Sequence, residues 1–261
     1  MKSDSAGRTI LVAFVLCVVC SILVSGAAVV LRPKQMANKA LDVQKNLLLA
    51  AGLLTDSKAT PAEVTEAYKV IDAKVINLET GLIEEGIEAA GFDEKKAAKD
   101  PKMSYSIASG DDKARIKNRS KYSRVFLVKE NGQISMVVLP VFVKGLWSTM
   151  YGFLALAPDT KHVKGFGFYE HGETPGLGGE VDNSKWKKSW IGKSVLDESF
   201  KPILDVVKGS VNTESSDASH QIDGLSGATI TSNGVEATIH YWLGQNGFGP
   251  FLAKFREGAI Q

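Results

Sequence analysis

Cysteine is nearly missing from this chain: of 261 residues only Cys17 and Cys20 carry a thiol, and both lie in the first apolar run. Everything after residue 20 is therefore excluded from disulfide and thiolate chemistry. The C-x-x-C spacing of the pair would put thiolates into hydrocarbon, so both are read as small helix residues. Histidine is scarce as well. His162, His171, His220 and His240 show no H-E-x-x-H spacing and have no cysteine to complete a zinc site, which argues against a metalloenzyme. Charge of one sign is not in excess: the net charge is +2, and the 31 basic residues are spread along the chain, without the basic block that nucleic acid demands. No segment repeats at a fixed period, which removes solenoids and propellers. No acid, base or nucleophile constellation stands out, so no catalytic residue is assigned.

What is present begins with a long hydrophobic run. ILVAFVLCVVCSILVSGAAVV, from Ile10 to Val30, contains no charged residue and is bounded by Arg8 before it and Arg32-Pro33-Lys34 after it. At ~1.5 Å per helical residue, a run of ~20 residues covers a bilayer core of ~30 Å. Ser25-Gly26-Ala27 resembles a signal-peptide processing site, but the run continues past it and exceeds the ~7–15 residues of a signal h-region, which favours an uncleaved anchor. Lys2 and Arg8 on one side and Arg32, Lys34 and Lys39 on the other leave orientation undecided by charge. A short tail before the anchor and a large domain after it favour a cytoplasmic tail over residues 1–9, a transmembrane helix over 10–31 and an extracytoplasmic remainder.

The remainder, with 44% hydrophobic and 23% charged residues in the chain overall, has globular composition. Met36, Ala40, Val43, Leu47, Ala51 and Leu54 recur at helical steps, extending a helix beyond Pro33. Thr60-Pro61-Ala62-Glu63 reads as a capping box. Val64, Tyr68, Ile71, Val75 and Leu78 then predict a second helix ending near Gly81. Residues 84–123 are polar without a sustained period and read as surface helix and loop. The region 32–123 is accordingly a helical lead-in and surface segment. From residue 124 the pattern changes: Val125 to Val128, the turn Asn131-Gly132 and Ile134 to Val143 predict a hairpin, and Tyr151 to Ala157 and Val163 to Tyr169 add strands. Lys185 to Trp190 reads as a short helix with Trp186 and Trp190 at the surface or on a partner, and Gly234 to Gln245 as a final helix. This order of helices, strands and helices is α+β, with a twisted antiparallel sheet.

Three short segments carry the chemistry. Asp223-Gly-Leu-Ser226-Gly227-Ala228-Thr229-Ile230-Thr231-Ser232 is a small-residue turn entering a helix. Its glycines permit close backbone approach, its hydroxyls can hydrogen-bond, and helix amides starting near Ser232 suit a phosphate. Taken as composition alone, such a cluster is more often an N-cap. His171-Gly-Glu173-Thr174-Pro-Gly176-Leu177-Gly178-Gly179-Glu180 matches neither a P-loop nor a dinucleotide fingerprint and on glycine content reads as a surface turn. Gly145-Leu146-Trp147 follows a strand, and core is the first expectation for its tryptophan.

The string D-G-L-S-G-A-T, however, resembles the flavinylation motif of the FMN-binding domains of membrane electron-transport complexes. In that family the last threonine, here Thr229, carries FMN through a phosphoester made by a dedicated flavin transferase. E-T-P-G-L-G and G-x-W resemble the same family. The resemblance implies cofactor contacts at Ser226, Gly227, Ala228, Ile230 and Thr231 around Thr229, with Thr174, Gly176, Leu177 and Trp147 beside the flavin ring. It covers most of the chain and is nearest to the C subunits of sodium-translocating NADH:quinone oxidoreductases. The G subunits of Rnf-type complexes and a non-redox anchored binding module are the alternatives. It implies an FMN-binding domain over 124–261 on the periplasmic side of a bacterial inner membrane. It also implies partner subunits, electrons that start on NADH and end on quinone, and sodium export coupled to their flow. One membrane helix without an ionisable residue in its apolar run cannot itself form the ion path.

Overall fold

The computed structural model describes residues 6–56 and 58–260; the tail expected at 1–9 lies outside them over residues 1–5. The chain divides into two units, Met1–Val43 and Gln44–Gln261. Helix α1 spans Ala6–Ala50 and runs through Pro33. Its most apolar stretch has a mean hydropathy of 2.8 with no part of it buried, so α1 is long and apolar enough to cross a bilayer.

The second unit begins with the last turns of α1, where Leu47 and Leu48 are buried. Helix α2 follows at Pro61–Ala67, started by the expected capping box: Thr60 and Glu63 satisfy each other's backbone N–H. The helix expected to reach Gly81 stops there. Residues from Ile71 form strand β1 (Ile71–Asn77) instead. The misreading has a physical cause, since Ile71 and Val75, four apart, satisfy both the 3.6-residue and the two-residue period. The β-branched cluster around them favours the pleated form.

Helix α3 (Glu94–Ala97), capped by Asp93, and the short strands β2 (Ser104–Ser106) and β3 (Asn118–Ser120) form the polar stretch. The expected hairpin is β4 (Tyr122–Glu130) with β5 (Gln133–Lys144), turning at Asn131-Gly132 with both residues at positive φ. Strands β6 (Thr149–Leu156) and β7 (Val163–Glu170) complete an antiparallel sheet of order β1-β4-β5-β6-β7. Helix α4 (Ser184–Ser189), strand β8 (Asp205–Val207), strand β9 (Gln221–Asp223), which pairs with β8 in parallel, helix α5 (Thr229–Trp242) and helix α6 (Gly249–Arg256) follow. The final helix thus starts before the expected Gly234, and α6 was not anticipated. The architecture is α+β.

Alternation sorts the sheet into two faces. Val137, Leu139, Val141 and Val143 of β5, with Met150 and Leu154 of β6, pack against Val235, Ile239 and Trp242 of α5 and Phe251 of α6. Trp186 and Trp190 belong to this core rather than to the surface, with Trp190 stacked on Phe166 at 4.1 Å. Amphipathic spacing was hidden there because lysines flank both rings. On the opposite face, Phe126 meets Phe153 edge-on at 5.9 Å, and Phe153 stacks on Tyr169 at 5.1 Å. The Ala50 carbonyl of α1 packs directly against Gly165, where a side chain would not fit.

Candidate functional site

Three turns that are distant in sequence converge at the N-terminus of α5. The first is the β5–β6 connection, closed by the Gly145 N–H donating to Ser148 O at 2.8 Å. The second follows β7, where the N–H groups of Leu177 and Gly179 donate to Thr174 O at 3.1 and 2.9 Å. Gly176 sits there at φ +76°, a left-handed conformation that glycine tolerates. The third is the 223–228 turn, held by the Leu225 N–H donating to Ser232 Oγ at 2.9 Å and the Ala228 N–H donating to Leu225 O at 3.0 Å. Beneath it, Trp186 Nε1 donates to Asp223 O at 2.9 Å, so a tryptophan expected at the surface supports the turn from inside.

Glu173, in the second turn, joins the first to the start of α5. The residue is 5% exposed, and its carboxylate accepts from Thr231 Oγ1 at 2.6 Å, from the N–H groups of Leu146 and Trp147 at 3.2 and 3.0 Å, and from Ser148 N–H at 3.5 Å. Burial by itself would raise this carboxyl; the hydroxyl of Thr231 and the three turn amides outweigh it and hold it below the usual carboxylate range. Two glycines make room for it. A Cβ on Gly145 would meet Glu173 Oε1 at 2.5 Å, and one on Gly178 would meet Thr231 Oγ1 at 2.6 Å and Glu173 Oε2 at 2.9 Å. The Glu173 N–H in turn donates to His171 Nδ1 at 3.2 Å, leaving His171 Nε2 to face Asp182 Oδ2 at 2.8 Å. Sequence reading gave Glu173 no role. A carboxylate among glycines and hydroxyls, with no lysine or arginine between residues 171 and 180, was the available signal.

Thr229 is the first residue of α5 and is exposed. The helix starts three residues before the expected Ser232. Ala228 is its N-cap and supplies no side-chain cap, so the turn is not the N-cap that composition favoured. The first helical bond runs from Ser232 N–H to Ala228 O at 2.9 Å. The amides of Thr229, Ile230 and Thr231 therefore precede it, without intrahelical acceptors and at the positive end of the helix dipole. Ser226 and Gly227 are exposed, and Ala228 is buried. Gly227, at φ +70°, lies so close to Leu177 that a Cβ would be 3.0 Å from Leu177 Cδ2, which brings the second and third turns into contact. Thr174 and Gly176 are exposed, Thr231 is buried against Glu173, and Trp147, expected in the core, is 66% exposed. Leu146, Leu177 and Ile230 are also exposed, so these turns present four large apolar side chains to solvent. This set fits FMN: an accessible hydroxyl, uncapped amides for a phosphate, and apolar surface for a planar ring.

Outside the site, carboxylate and imidazole atoms of Asp205, Glu236 and His240 lie within 4.8 Å of one another. Glu236 accepts from Val206 N–H at 3.0 Å and His240 Nε2 lies 2.9 Å from Leu204 O, bonds that fasten β8 to α5.

Fold and site together define an FMN-binding-domain protein with a long apolar N-terminal helix, and the model of the FMN-binding domain family matches residues 145–244. Among curated relatives, the C subunit of the Na+-translocating NADH-quinone reductase of Pseudomonas aeruginosa is 48% identical over 98% of both chains. Its Yersinia pestis counterpart is 44% identical over 100% of this chain and 97% of its own. The crystal structure of Shewanella oneidensis NqrC superposes with a TM-score of 0.77 at 36% identity, covering 85% of this chain and 99% of that one. The chain belongs to the NqrC family, the C subunits of the Na+-translocating NADH-quinone reductases, an oxidoreductase complex.

Proposed function

We propose that FMN is joined by a phosphoester to Thr229 and that this chain relays electrons through it inside a Na+-translocating NADH–quinone reductase. The observation that carries this reading is the exposed Thr229 hydroxyl on the first residue of an uncapped helix, ringed by exposed apolar side chains. The flavin supplies the redox chemistry when bound. The chain supplies position. The Thr229, Ile230 and Thr231 amides donate to phosphate oxygens, and Ser226 and Thr174 offer hydroxyls. The left-handed Gly227 and Gly176 keep the backbone close, Ala228 packs the turn inward, and Trp147 and Leu177 flank the ring. Thr231 contributes through Glu173, which holds the first two turns to the start of α5. Covalent attachment removes dissociation, an advantage where free flavin is scarce.

Attachment forms a bond from Thr229 Oγ1 to phosphorus with net loss of one water relative to FMN and protein, and it requires a flavin transferase as maturation partner. The anchor is placed in a bacterial inner membrane with residues 1–9 cytoplasmic, 10–31 spanning, 32–123 leading out and the FMN domain over 124–261 periplasmic. In that arrangement the other subunits hold the NADH site and the ion path. The deciding experiment is intact mass with in-gel flavin fluorescence of denatured protein co-expressed with its transferase. A fluorescent band bearing FMN less one water on the Thr229 peptide is expected. A dark band at unmodified mass overturns the covalent reading.

A further inference from the structure

The sheet face opposite α5 carries a cleft of about 370 Å3, within the roughly 300–1,000 Å3 common to small-molecule sites. Its floor is aromatic: Phe142, whose ring also touches Trp242 of α5 at 4.7 Å, and Tyr151 lie 5.5 Å apart and half-buried, and Tyr169 stacks on Phe153 beside them. One wall is α3 and the residues just after it, with Glu94, Lys95 and Lys99; the other is the 115–118 loop, with Arg115 and Lys117. Asp112 holds that loop by accepting from the Ile116 and Lys117 N–H groups at 2.9 and 2.8 Å, with Arg115 and Lys117 both at positive φ.

Charge in the cleft does not balance. Arg124 is matched by Glu94 through two side-chain bonds of 2.9 Å, and Lys95 by Glu170 at 3.0 Å while it also sits over the Tyr151 ring. Among the described residues, Lys99, Arg115 and Lys117 have no carboxylate within ion-pair distance, and all three are exposed at the rim. Among the described residues, Glu94 is the only acidic one in the lining. An aromatic floor takes a flat apolar body, and three cations at the mouth without a carboxylate partner, of which Arg115 donates to Lys144 O at 3.4 Å, take one negative group.

We propose that this cleft binds a small planar anion, an aromatic ring system bearing one phosphate or carboxylate, at a site separate from Thr229. The ring lies against Phe142 and the edge of Tyr151, whose face Lys95 covers, and the anionic group meets Lys99, Arg115 and Lys117. Thr149, at one end of the cleft, is the first residue of β6 and directly follows the turn that carries Trp147. Occupancy is therefore felt one turn from the apolar rim of the α5 site.

The test is isothermal titration of the full-length, detergent-solubilised chain with 2-naphthyl phosphate, blanked against detergent alone. One saturable site is expected, with affinity about tenfold lower for neutral 2-naphthol and about tenfold lower in the double variant Lys99→Glu, Lys117→Glu. Both lysines are exposed and unpaired, so circular dichroism and flavin content should be unchanged; should the double variant misfold, Arg115→Gln is read in its place. Thr229→Ala should bind as the parent does, which keeps this result distinct from the fate of the covalent-flavin reading. Absence of saturable heat, affinity indifferent to the rim substitutions, loss of binding in Thr229→Ala, or displacement by inorganic phosphate alone at equal concentration would each overturn the proposal.

Discussion

The two faces of the sheet are built by opposite means. The α5 face ends in a site made of three short glycine-rich turns, each contiguous in sequence, with one buried carboxylate fastening the first two to the start of α5. The other face is covered by pieces of a polar stretch, α3 and the 115–118 loop, which meet the sheet through pairs such as Glu94 with Arg124, 30 positions apart. A site whose parts are local and whose constraints are backbone amides tolerates little change, because a turn amide cannot move without its neighbours. A cleft walled by long side chains on short elements tolerates much more. Substitutions should therefore cost function and stability steeply on the first face and mildly on the second.

The largest effect belongs to Thr229→Ala. It removes an exposed hydroxyl at a helix start, so covalent flavin should be lost completely while stability changes by less than about 0.5 kcal/mol. Flavin fluorescence that survives denaturation in this variant would break the assignment. Thr229→Ser keeps the oxygen and should retain partial loading, read as the ratio of flavin absorbance to protein.

Glu173 tests whether the site depends on one constraint. Glu173→Ala leaves the Thr231 hydroxyl and the amides of Leu146, Trp147 and Ser148 without their acceptor, at a cost of about 3 kcal/mol if water satisfies part of the set. Glu173→Gln should do little better, because an amide NH2 would face donors where an oxygen is needed. Denaturant unfolding followed by tryptophan fluorescence measures both. The carboxyl is held below its unfolded value of 4.5, so its contribution is complete above that pH and is lost as pH falls through the lower folded value. The stability gap between parent and Glu173→Gln should accordingly shrink on acidification below about 4.5, and a gap that widens there would refute the role.

How far the sequence foretold these faces follows the same division. The long apolar helix, the Asn131-Gly132 hairpin, both later strands and the convergent motifs were legible, because each is a local pattern with one physical cause. β1 was not, since Ile71 and Val75 satisfy two periods at once, and neither were the buried Trp186 and Trp190, whose lysine neighbours made the segment look solvated. The position of α5 was missed by five residues because Thr229 and Thr231 read as turn formers, while only the tertiary bond from Thr231 to Glu173 keeps that hydroxyl inside. Nothing local in residues 84–123 announced a cleft; its walls exist only after α3 docks on β4.

Gly178→Ala sharpens the comparison within the first face. The added methyl would lie 2.6 Å from Thr231 Oγ1 and 2.9 Å from Glu173 Oε2, so either the hydrogen bond between them lengthens or the turn shifts. A loss of about 2 kcal/mol is expected, with reduced flavin loading by the same transferase. Gly176→Ala, a few residues away in open space but at φ +76°, should cost about 1 kcal/mol from backbone strain alone. If both variants cost the same, crowding around Glu173 is not what limits the site.

Trp147→Ala should change stability as little as Thr229→Ala does, and it separates building the site from using it. Trp147 is 66% exposed, so its side chain contributes little to the fold, and unfolding should change by less than about 0.5 kcal/mol. Its backbone N–H still donates to Glu173, so the turn survives and covalent loading should stay near the parental level. The environment of the flavin should nonetheless change: removing a large apolar surface next to the ring admits water and shifts the flavin absorption and fluorescence bands. An unchanged flavin spectrum would mean that Trp147 faces another protein of the complex instead of the cofactor. Leu177→Ala would then be the next variant to compare, because Leu177 packs against Gly227 in the turn that leads to Thr229.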